Sequence, residues 1–350
     1  MKQMKFGKSL ISDKGPCYVI AEIGHNHQGS IDTALKMIQV AASCGANAVK
    51  FQKRDNKTLY TKAFYGKPYE NENSYGATYG EHREFLEFDR AEYLKLIKCA
   101  AANNVEFMAT AFDFKSADFL HALGVTSYKL ASSDLTNTPL IEYVAKFKKP
   151  VFLSTGAATI EEIRLAYKAI LRHNSQLCLL HCVAGYPTEY HDLNLRVISA
   201  LKKEFSRAIM GYSGHDNGIL APVLAYMLGA IVVEKHFTLN HAWKGTDHKF
   251  SLEPEGLRKM VRDLRRVDVS MGNGKKIVHD FEIEARKKMG KGIYTARPLK
   301  AGAILRKEDL CLKTPFNGTP PYLLSEILGR RIKVDLMEES PLSWDDIEQP

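Results

Sequence analysis

Apolar residues cluster along the first two-thirds of the chain into eight short runs: CYVIAEIG, NAVKFQ, EFMATAF, SYKLASS, PVFLSTG, LCLLHCV, AIMGYSG and AIVVEKHF, beginning at Cys17, Asn47, Glu106, Ser127, Pro150, Leu177, Ala208 and Ala230. Each is short, nearly continuous in its hydrophobicity and bounded by polar or Gly-containing sequence, as buried strands are. Between them lie stretches with apolar residues at helical spacing, such as SIDTALKMIQVAASCG, DRAEYLKLIKCAAANN, TIEEIRLAYKAILRHN and EPEGLRKMVRDLRRV. Ser30 and Thr159 stand at N-cap positions, Glu162 completes a capping-box pattern behind Thr159, and Gly45 fits the position just past a helix end. Eight strand–helix alternations predict an α/β fold, a (β/α)8 TIM barrel. An open doubly wound sheet is the alternative, but it ordinarily uses fewer strands. The segment 53–89 is a long connection rich in Gly, Tyr and charge. On such a scaffold it reads as a functional loop, with disorder as the competing reading.

The pattern changes after Met271. Residues 1–275 are expected to form the barrel, 276–290 a linker with a short helix, and 291–350 a small, mostly-β second domain with Pro/Gly turns. About 60 residues is marginal for an independent core, so that domain is expected to lean on another surface.

Composition removes several classes. No apolar run approaches the roughly 20 residues needed to cross a bilayer. The basic start MKQMKFGKSL lacks an apolar signal core, so no membrane partner is expected and a cytoplasmic location is. The six cysteines form no CxxC pair and mostly sit in apolar runs, which reads as buried reduced thiols. The net charge of +9 is scattered, and no nucleic-acid-binding signature accompanies it. A small anionic substrate accounts for a positive field equally well.

In a barrel of this kind the active site is built where the strands end. Those ends carry Glu22, Lys50, Gln52, Thr110, Lys129, Ser132, Ser154, Thr155, His181, Cys182, Ser213, His215, Glu234 and His236. Strand parity puts Lys50 with Gln52, Ser213 with His215, and Glu234 with His236. A barrel built for stability alone has no need of polar groups at nearly every exit. His215 and His236 end successive strands and can converge into an open two-imidazole metal site; hydrogen-bonded core histidines are the alternative. His25 and His27 in HNHQ form a competing ligand pattern, although they run into the cap of the first helix. Lys50 and Lys129 lie inside strands, where a lysine is costly unless it meets an anion. With Thr110, Ser132 and Ser154 they suit a phosphate or carboxylate; pairing with Glu22 and Asp134 is the structural alternative. Glu22 is a candidate acid/base or hydroxyl-binding group.

Ten segments, in order, resemble the sialic acid synthase (N-acetylneuraminate synthase) family: IAEIGHNHQGSIDTALKMI, AVKFQK, TYGEHREFLEF, YKLASSD, LSTGAAT, LLHCVAGYP, LNLRVI, GYSGHD, VEKHFTL and WKGTDHKFSLEP. The tail, GKGIYTARPLKAGAILRKEDL to GRRIKVDL, is similar to that family's antifreeze-like SAF domain. The resemblance implies a phosphoenolpyruvate-dependent condensation with the open-chain aldehyde of a 2-acetamido-mannose-type sugar, giving a nine-carbon 2-keto acid and phosphate. It implies a divalent metal, Mn2+ or alternatively Mg2+ or Co2+, on His215 and His236. Phosphoenolpyruvate is assigned to Lys50, Thr110, Lys129, Ser132, Ser154 and Ser213, and the sugar to Tyr186 and Asp247. Gln52 and Asp134 complete the expected substrate set, and Glu22 and Glu234 are the candidates for proton transfer. The loop carrying TYGEHR would help cover the sugar, and His241 and His248 are given surface or sugar-loop roles. The resemblance also implies a homodimer in which the SAF domain of one protomer caps the partner's barrel. Thr314 stands where bacterial members place an arginine, which puts the sugar's N-acyl contact in doubt. WKGTDH is closer to animal-type members that take a 6-phosphorylated sugar; Lys244 is a candidate for that phosphate, against the reading of an exposed loop lysine. A legionaminate, pseudaminate or KDN synthase is the alternative within the same chemistry. A synthase of shorter 3-deoxy acids is disfavoured by the tail. A carbohydrate or ice binder is disfavoured by the strand-end Glu, Lys and His residues.

Overall fold

The computed structural model describes residues 2–348, which divide into two compact units at Gly272/Asn273. The first opens with an antiparallel hairpin, β1 (Gln3–Phe6) and β2 (Ser9–Ser12), turned at Gly7. Met4, Phe6 and Ile11 point inward and Gln3, Lys5 and Leu10 outward, which buries one face. The Phe6 ring lies 5.7 Å from Tyr18 and 5.6 Å from Phe152, against residues of the barrel strands. Sequence reading missed this hairpin, because each strand is only four residues long and the second turns an apolar residue, Leu10, outward.

Eight parallel strands then close into a barrel: β3 (Tyr18–Gly24), β4 (Ala48–Lys53), β5 (Glu106–Ala111), β6 (Tyr128–Leu130), β7 (Val151–Ser154), β8 (Leu177–Cys182), β9 (Ile209–Gly214) and β10 (Val232–His236), with β10 pairing β3. All eight expected strands are present, and the open-sheet alternative is excluded. Most of their residues are buried, because the barrel interior takes one face and the surrounding helices the other. The helices start as their sequences suggest. Ser30 accepts a hydrogen bond from the Thr33 N–H at the start of Ile31–Ser43, and Thr159 and Glu162 form a reciprocal cap on Ile160–Leu171.

Register decides which polar groups meet. Glu22 is paired with Lys50 on one side and His236 on the other. Thr110 is opposite both Gln52 and Lys129, and Ser213 is opposite both Cys182 and Glu234. The strand expected through SYKLASS stops at Leu130, and Ser132–Asp134 forms a tight 3-10 turn.

The long connection after β4 is structured. It holds the short helices Asn56–Leu59, Lys62–Tyr65 and Tyr79–Phe85, the last with a Thr78/Glu81 capping box. Tyr60, Phe64, Tyr69 and Tyr79 pack their rings at centroid distances of 4.8–5.5 Å. That aromatic cluster gives the connection a small core of its own.

In the second unit, the helix Asp280–Met289 has no buried residue. β11 (Gly292–Thr295) and β12 (Leu310–Lys313) form an antiparallel pair. Ile293, Leu299, Leu305, Ile327, Ile332, Leu342 and Ile347 make its core. No helix among the described residues is long and apolar enough to cross a membrane.

Candidate active site

The polar strand ends converge on a cavity of about 630 Å³ at the carboxyl end of the barrel. Its floor is an ion-paired network. The Lys50 ammonium lies 2.8 Å from Glu22 Oε2 and 3.4 Å from Glu234 Oε1, and donates to Thr110 Oγ1 at 3.0 Å. Gln52 Nε2 donates to Glu22 Oε1 at 2.8 Å, and Ser213 Oγ donates to Glu234 Oε1 at 3.1 Å. The two carboxylates are in different states. Burial pushes Glu22 up and Lys50 offsets only part of that. Burial acts on Glu234 too, but the Lys50 and Lys129 charges, with the Ser213 hydrogen bond, outweigh it and hold that carboxyl low. Lys50 therefore realises the pairing with Glu22 weighed above, and adds Glu234 to it.

Lys129 differs. Its ammonium donates to Ser154 Oγ at 2.7 Å and to the Leu130 carbonyl at 3.0 Å, with no carboxylate at ion-pair distance among the described residues. Asp134, expected at this place, does not line the cavity. Ending the strand at Leu130 carries Asp134 into the turn, where Asn137 Nδ2 donates to it at 3.1 Å. Its observed partners, Asn137 and Ser133, lie within that turn. Ser132 does line the cavity, and its Oγ accepts the Gly156 N–H at 2.9 Å. A Cβ on Gly156 would itself sit 2.9 Å from that oxygen, so a side chain there would press on the rim.

His215 and His236 face one another with ring centroids 5.4 Å apart. The His215 Nδ1–H donates to the Val183 carbonyl at 3.0 Å, which leaves Nε2 as the nitrogen with the free lone pair. His236 Nδ1 is buried without a hydrogen-bond partner, 3.7 Å from Asp247 Oδ2. Burial holds both rings below the usual imidazole range, and for His236 the neighbouring His215 and Lys50 add to it. Two neutral imidazoles, one oriented by a carbonyl and one with an orphaned nitrogen, fit a divalent cation as a pair of ligands. Among the described residues no cluster of three or more His, Cys, Asp or Glu is arranged to hold a metal, so other ligands would have to come from water and substrate. Tyr186 covers His215 at 4.1 Å between centroids, and Asp247 reaches the cavity from the loop after β10.

The other candidates separate cleanly. His27 serves the turn: its Nδ1 accepts from the Gly29 N–H and its ring stacks on Phe88 at 4.2 Å. His25 instead lines the cavity. His181 contacts the Leu193 carbonyl at 2.8 Å. His248 is fully buried against Thr238 Oγ1 at 2.7 Å, so it is no surface residue, whereas His241 is exposed. Lys235, between the two inward residues of β10, pairs with Asp216 at 3.1 Å outside the cavity. Sequence reading named neither Arg54 nor Arg83 as a site residue, although it set the TYGEHR segment that ends in Arg83 over the sugar; both line the cavity. Arg54 had a usable signal, since it directly follows a strand that already supplies Lys50 and Gln52.

A closed parallel barrel with such a cavity at its strand exits belongs to the (β/α)8 enzymes. Comparison with known proteins narrows the class. The NeuB family model matches residues 37–276, and the SAF domain model matches residues 290–348. N-acetylneuraminate-9-phosphate synthase of Mus musculus is 37% identical over 339 residues, 97% of this chain and 94% of that protein. N,N'-diacetyllegionaminic acid synthase of Legionella pneumophila is 36% identical over 95% of both chains. The crystal structure of N-acetylneuraminic acid (sialic acid) synthetase from Leptospira borgpetersenii, in complex with citrate, matches with a TM-score of 0.70 at 33% identity, covering 82% of this chain and 97% of that one. The chain belongs to the NeuB family and ends in a SAF domain; it is an enzyme of the nonulosonic acid synthase kind.

Proposed function

We propose that this enzyme condenses phosphoenolpyruvate with a manno-configured 2-acetamido hexose, or its 6-phosphate, to give a sialic acid and inorganic phosphate. The observation that carries this reading is Lys129: a buried ammonium without a carboxylate partner, beside Ser154, in the same cavity as two neutral imidazoles. Burial opposes the charge on such a group, and an anion bound beside it would stabilise it. Lys129, Ser132, Ser154 and Thr110 hold the phosphate and carboxylate of phosphoenolpyruvate, with Lys50 placed between them and the two glutamates. This fixes the orientation of the enol carbon toward the sugar's C1. Tyr186 and Asp247 contact the sugar.

In the reaction, C3 of phosphoenolpyruvate bonds to C1 of the open-chain sugar and the aldehyde oxygen takes up a proton. Water adds to C2 with loss of a proton, and the C2–O bond to phosphate then breaks to leave the ketone. A divalent cation such as Mn2+, held by His215 and His236, supplies Lewis acidity toward the aldehyde. Glu22, whose burial favours the protonated form, is the group suited to give a proton; Glu234, held ionised, is suited to receive one.

The test is phosphate release from phosphoenolpyruvate with Mn2+, using N-acetylmannosamine, its 6-phosphate, mannose 6-phosphate and a 2,4-diacetamido hexose, with products identified by mass spectrometry. Turnover with an N-acetylmannosamine form, lost in His236→Ala, is the expected result. Turnover with the diacetamido sugar alone would move the assignment to a legionaminate-type product. Silence with all four, from folded and metal-loaded protein, would sink the reading.

A further inference from the structure

The cavity carries more positive charge than phosphoenolpyruvate uses. Lys50 is neutralised by Glu22 and Glu234, and Lys129 is set toward the small anion. Two guanidiniums line the same space: Arg54, just past β4, and Arg83, on the helix Tyr79–Phe85. Neither guanidinium has a carboxylate at ion-pair distance among the described residues, although Arg54 is only 8% exposed. The nearest acid, Glu87, turns its Oε2 to Lys53 at 2.8 Å and to the Arg54 backbone N–H, while its Oε1, buried without a hydrogen-bond partner, lies 3.9 Å from His25 Nε2 and at ion-pair distance from neither guanidinium. Asp247 is close enough to favour the Arg83 charge, but its own contact is with His236.

What the two guanidiniums share is His25. Arg54 Nη1 is 3.2 Å from His25 Nε2, and Arg83 Nη1 is 3.1 Å from His25 Nδ1. A neutral imidazole has one acceptor nitrogen and one N–H. It can therefore accept from one of these arginines only; the other guanidinium N–H faces an imidazole N–H. Protonating the ring removes the remaining acceptor, and burial with two adjacent guanidiniums opposes that in any case. The rest of each guanidinium is well placed. Arg54 donates to Gln52 Oε1 at 2.8 Å and stacks on Phe112 at 3.7 Å, and Arg83 donates twice to the Tyr79 hydroxyl. The cluster is thus rigidly built, yet one guanidinium N–H at its centre meets no acceptor, since the free Glu87 Oε1 faces the imidazole and not the arginines.

We propose that the Arg54–His25–Arg83 cluster is an anion subsite that receives the phosphate of a hexosamine 6-phosphate, making the phosphorylated sugar the preferred substrate. This rests on the condensation reading above. A phosphate monoester brings two negative charges and several acceptor oxygens, enough for both planar forks at once. The aldehyde end of the same sugar lies toward His215 and His236, and Asp247 stands between the two ends. Lys244, the sequence-level candidate for this phosphate, is exposed, lies over the Tyr75 ring at 4.7 Å and does not line the cavity.

The experiment measures kcat/KM for N-acetylmannosamine 6-phosphate and for N-acetylmannosamine, at saturating phosphoenolpyruvate, in wild type, Arg83→Gln, Arg83→Lys and Lys244→Ala. The ratio of phosphorylated to unphosphorylated sugar should favour the phosphate in wild type. It should fall roughly 10- to 100-fold in Arg83→Gln, the loss expected for a charge-assisted hydrogen bond, and less in Arg83→Lys. Lys244→Ala should shift it by no more than about 3-fold. An equal fall on both sugars, or a wild type indifferent to the phosphate, overturns the subsite while leaving the condensation reading intact. Thermal protection by the sugar 6-phosphate gives a second readout. Arg83-dependent protection without any turnover upholds the subsite and sinks the condensation; neither protection nor turnover sinks both.

Discussion

The Lys50 ammonium and the Glu22 carboxylate sit 2.8 Å apart across adjacent strands, both almost fully buried, whereas Lys129 on the next strand but one has only neutral partners. Two lysines that look alike in the sequence are therefore in opposite electrostatic situations. Lys50 has its countercharges within the protein. Lys129 touches no carboxylate, and on the proposed function it is the one that meets the substrate anion.

Substitution should separate the two. Lys129→Met removes a buried cation that no carboxylate touches and keeps most of the shape. We expect folding stability within about 1 kcal/mol of wild type, with the KM for phosphoenolpyruvate raised on the order of 100-fold. Lys50→Met strands Glu22 and Glu234 together without their cation, so a loss of about 3–5 kcal/mol is expected. Urea denaturation of the two variants, alongside their KM values, checks this. Comparable stability losses would contradict the assignment of Lys129 as the free cation.

The imidazole pair makes a prediction that needs no turnover. Mn2+ added to metal-free protein should raise the melting temperature by several degrees, since a ligand at 100 times its Kd contributes about 2.7 kcal/mol. His236→Ala should abolish the rise. His215→Ala should do the same, because its Nε2 is the lone pair aimed away from the Val183 carbonyl. A full shift in either variant would place the metal elsewhere.

His27 governs an acid limb of stability. Burial lowers its pKa to about 3, against about 6.5 for an unfolded histidine. The folded state favours the neutral ring, so this contribution is fully present above pH 6.5. It is lost as pH falls from there toward 3, where the unfolded chain binds a proton that the folded one refuses. The slope is up to about 1.4 kcal/mol per pH unit from this group alone. His27→Phe keeps the stacking on Phe88 but loses the acceptor for the Gly29 N–H. It should cost about 1 kcal/mol at pH 7.5 and flatten the melting-temperature profile between pH 6.5 and 4.5. An unchanged slope would mean that His27 titrates normally.

The barrel was legible because its strands are buried on both faces and stand out as near-continuous apolar runs, and the floor of the site because strand parity and the barrel rule place Glu22, Lys50, Thr110 and His236 at one end. What was not legible depends on where the chain turns. Asp134 reads as part of a strand exit, yet the strand stops at Leu130 and the turn carries it aside. Arg83 lies in the TYGEHR segment expected over the sugar, but only the fold of the 53–89 connection brings its guanidinium against His25. Where side chains from distant loops meet, residue spacing carries no signal. Asn26 is another case, donating to the Phe237 carbonyl and Ser251 Oγ in the loop that leaves the neighbouring strand β10.

Gly29 ties the barrel to that connection, and it offers the last test. Its φ is +74°, and a Cβ built there would lie 2.6 Å from the Phe85 carbonyl oxygen, at the end of the helix that carries Arg83. Gly29→Ala therefore adds backbone strain of about 1–3 kcal/mol and pushes against backbone that cannot rotate out of the way. The relief is a shift of Tyr79–Phe85, which moves the sugar side of the cavity and leaves Lys129, Ser154 and Thr110 in their strands. We expect a raised KM for the sugar, a KM for phosphoenolpyruvate within about 3-fold of wild type, and a lower melting temperature. If both KM values rose together, the helix would be coupled to the whole barrel mouth rather than to the sugar alone.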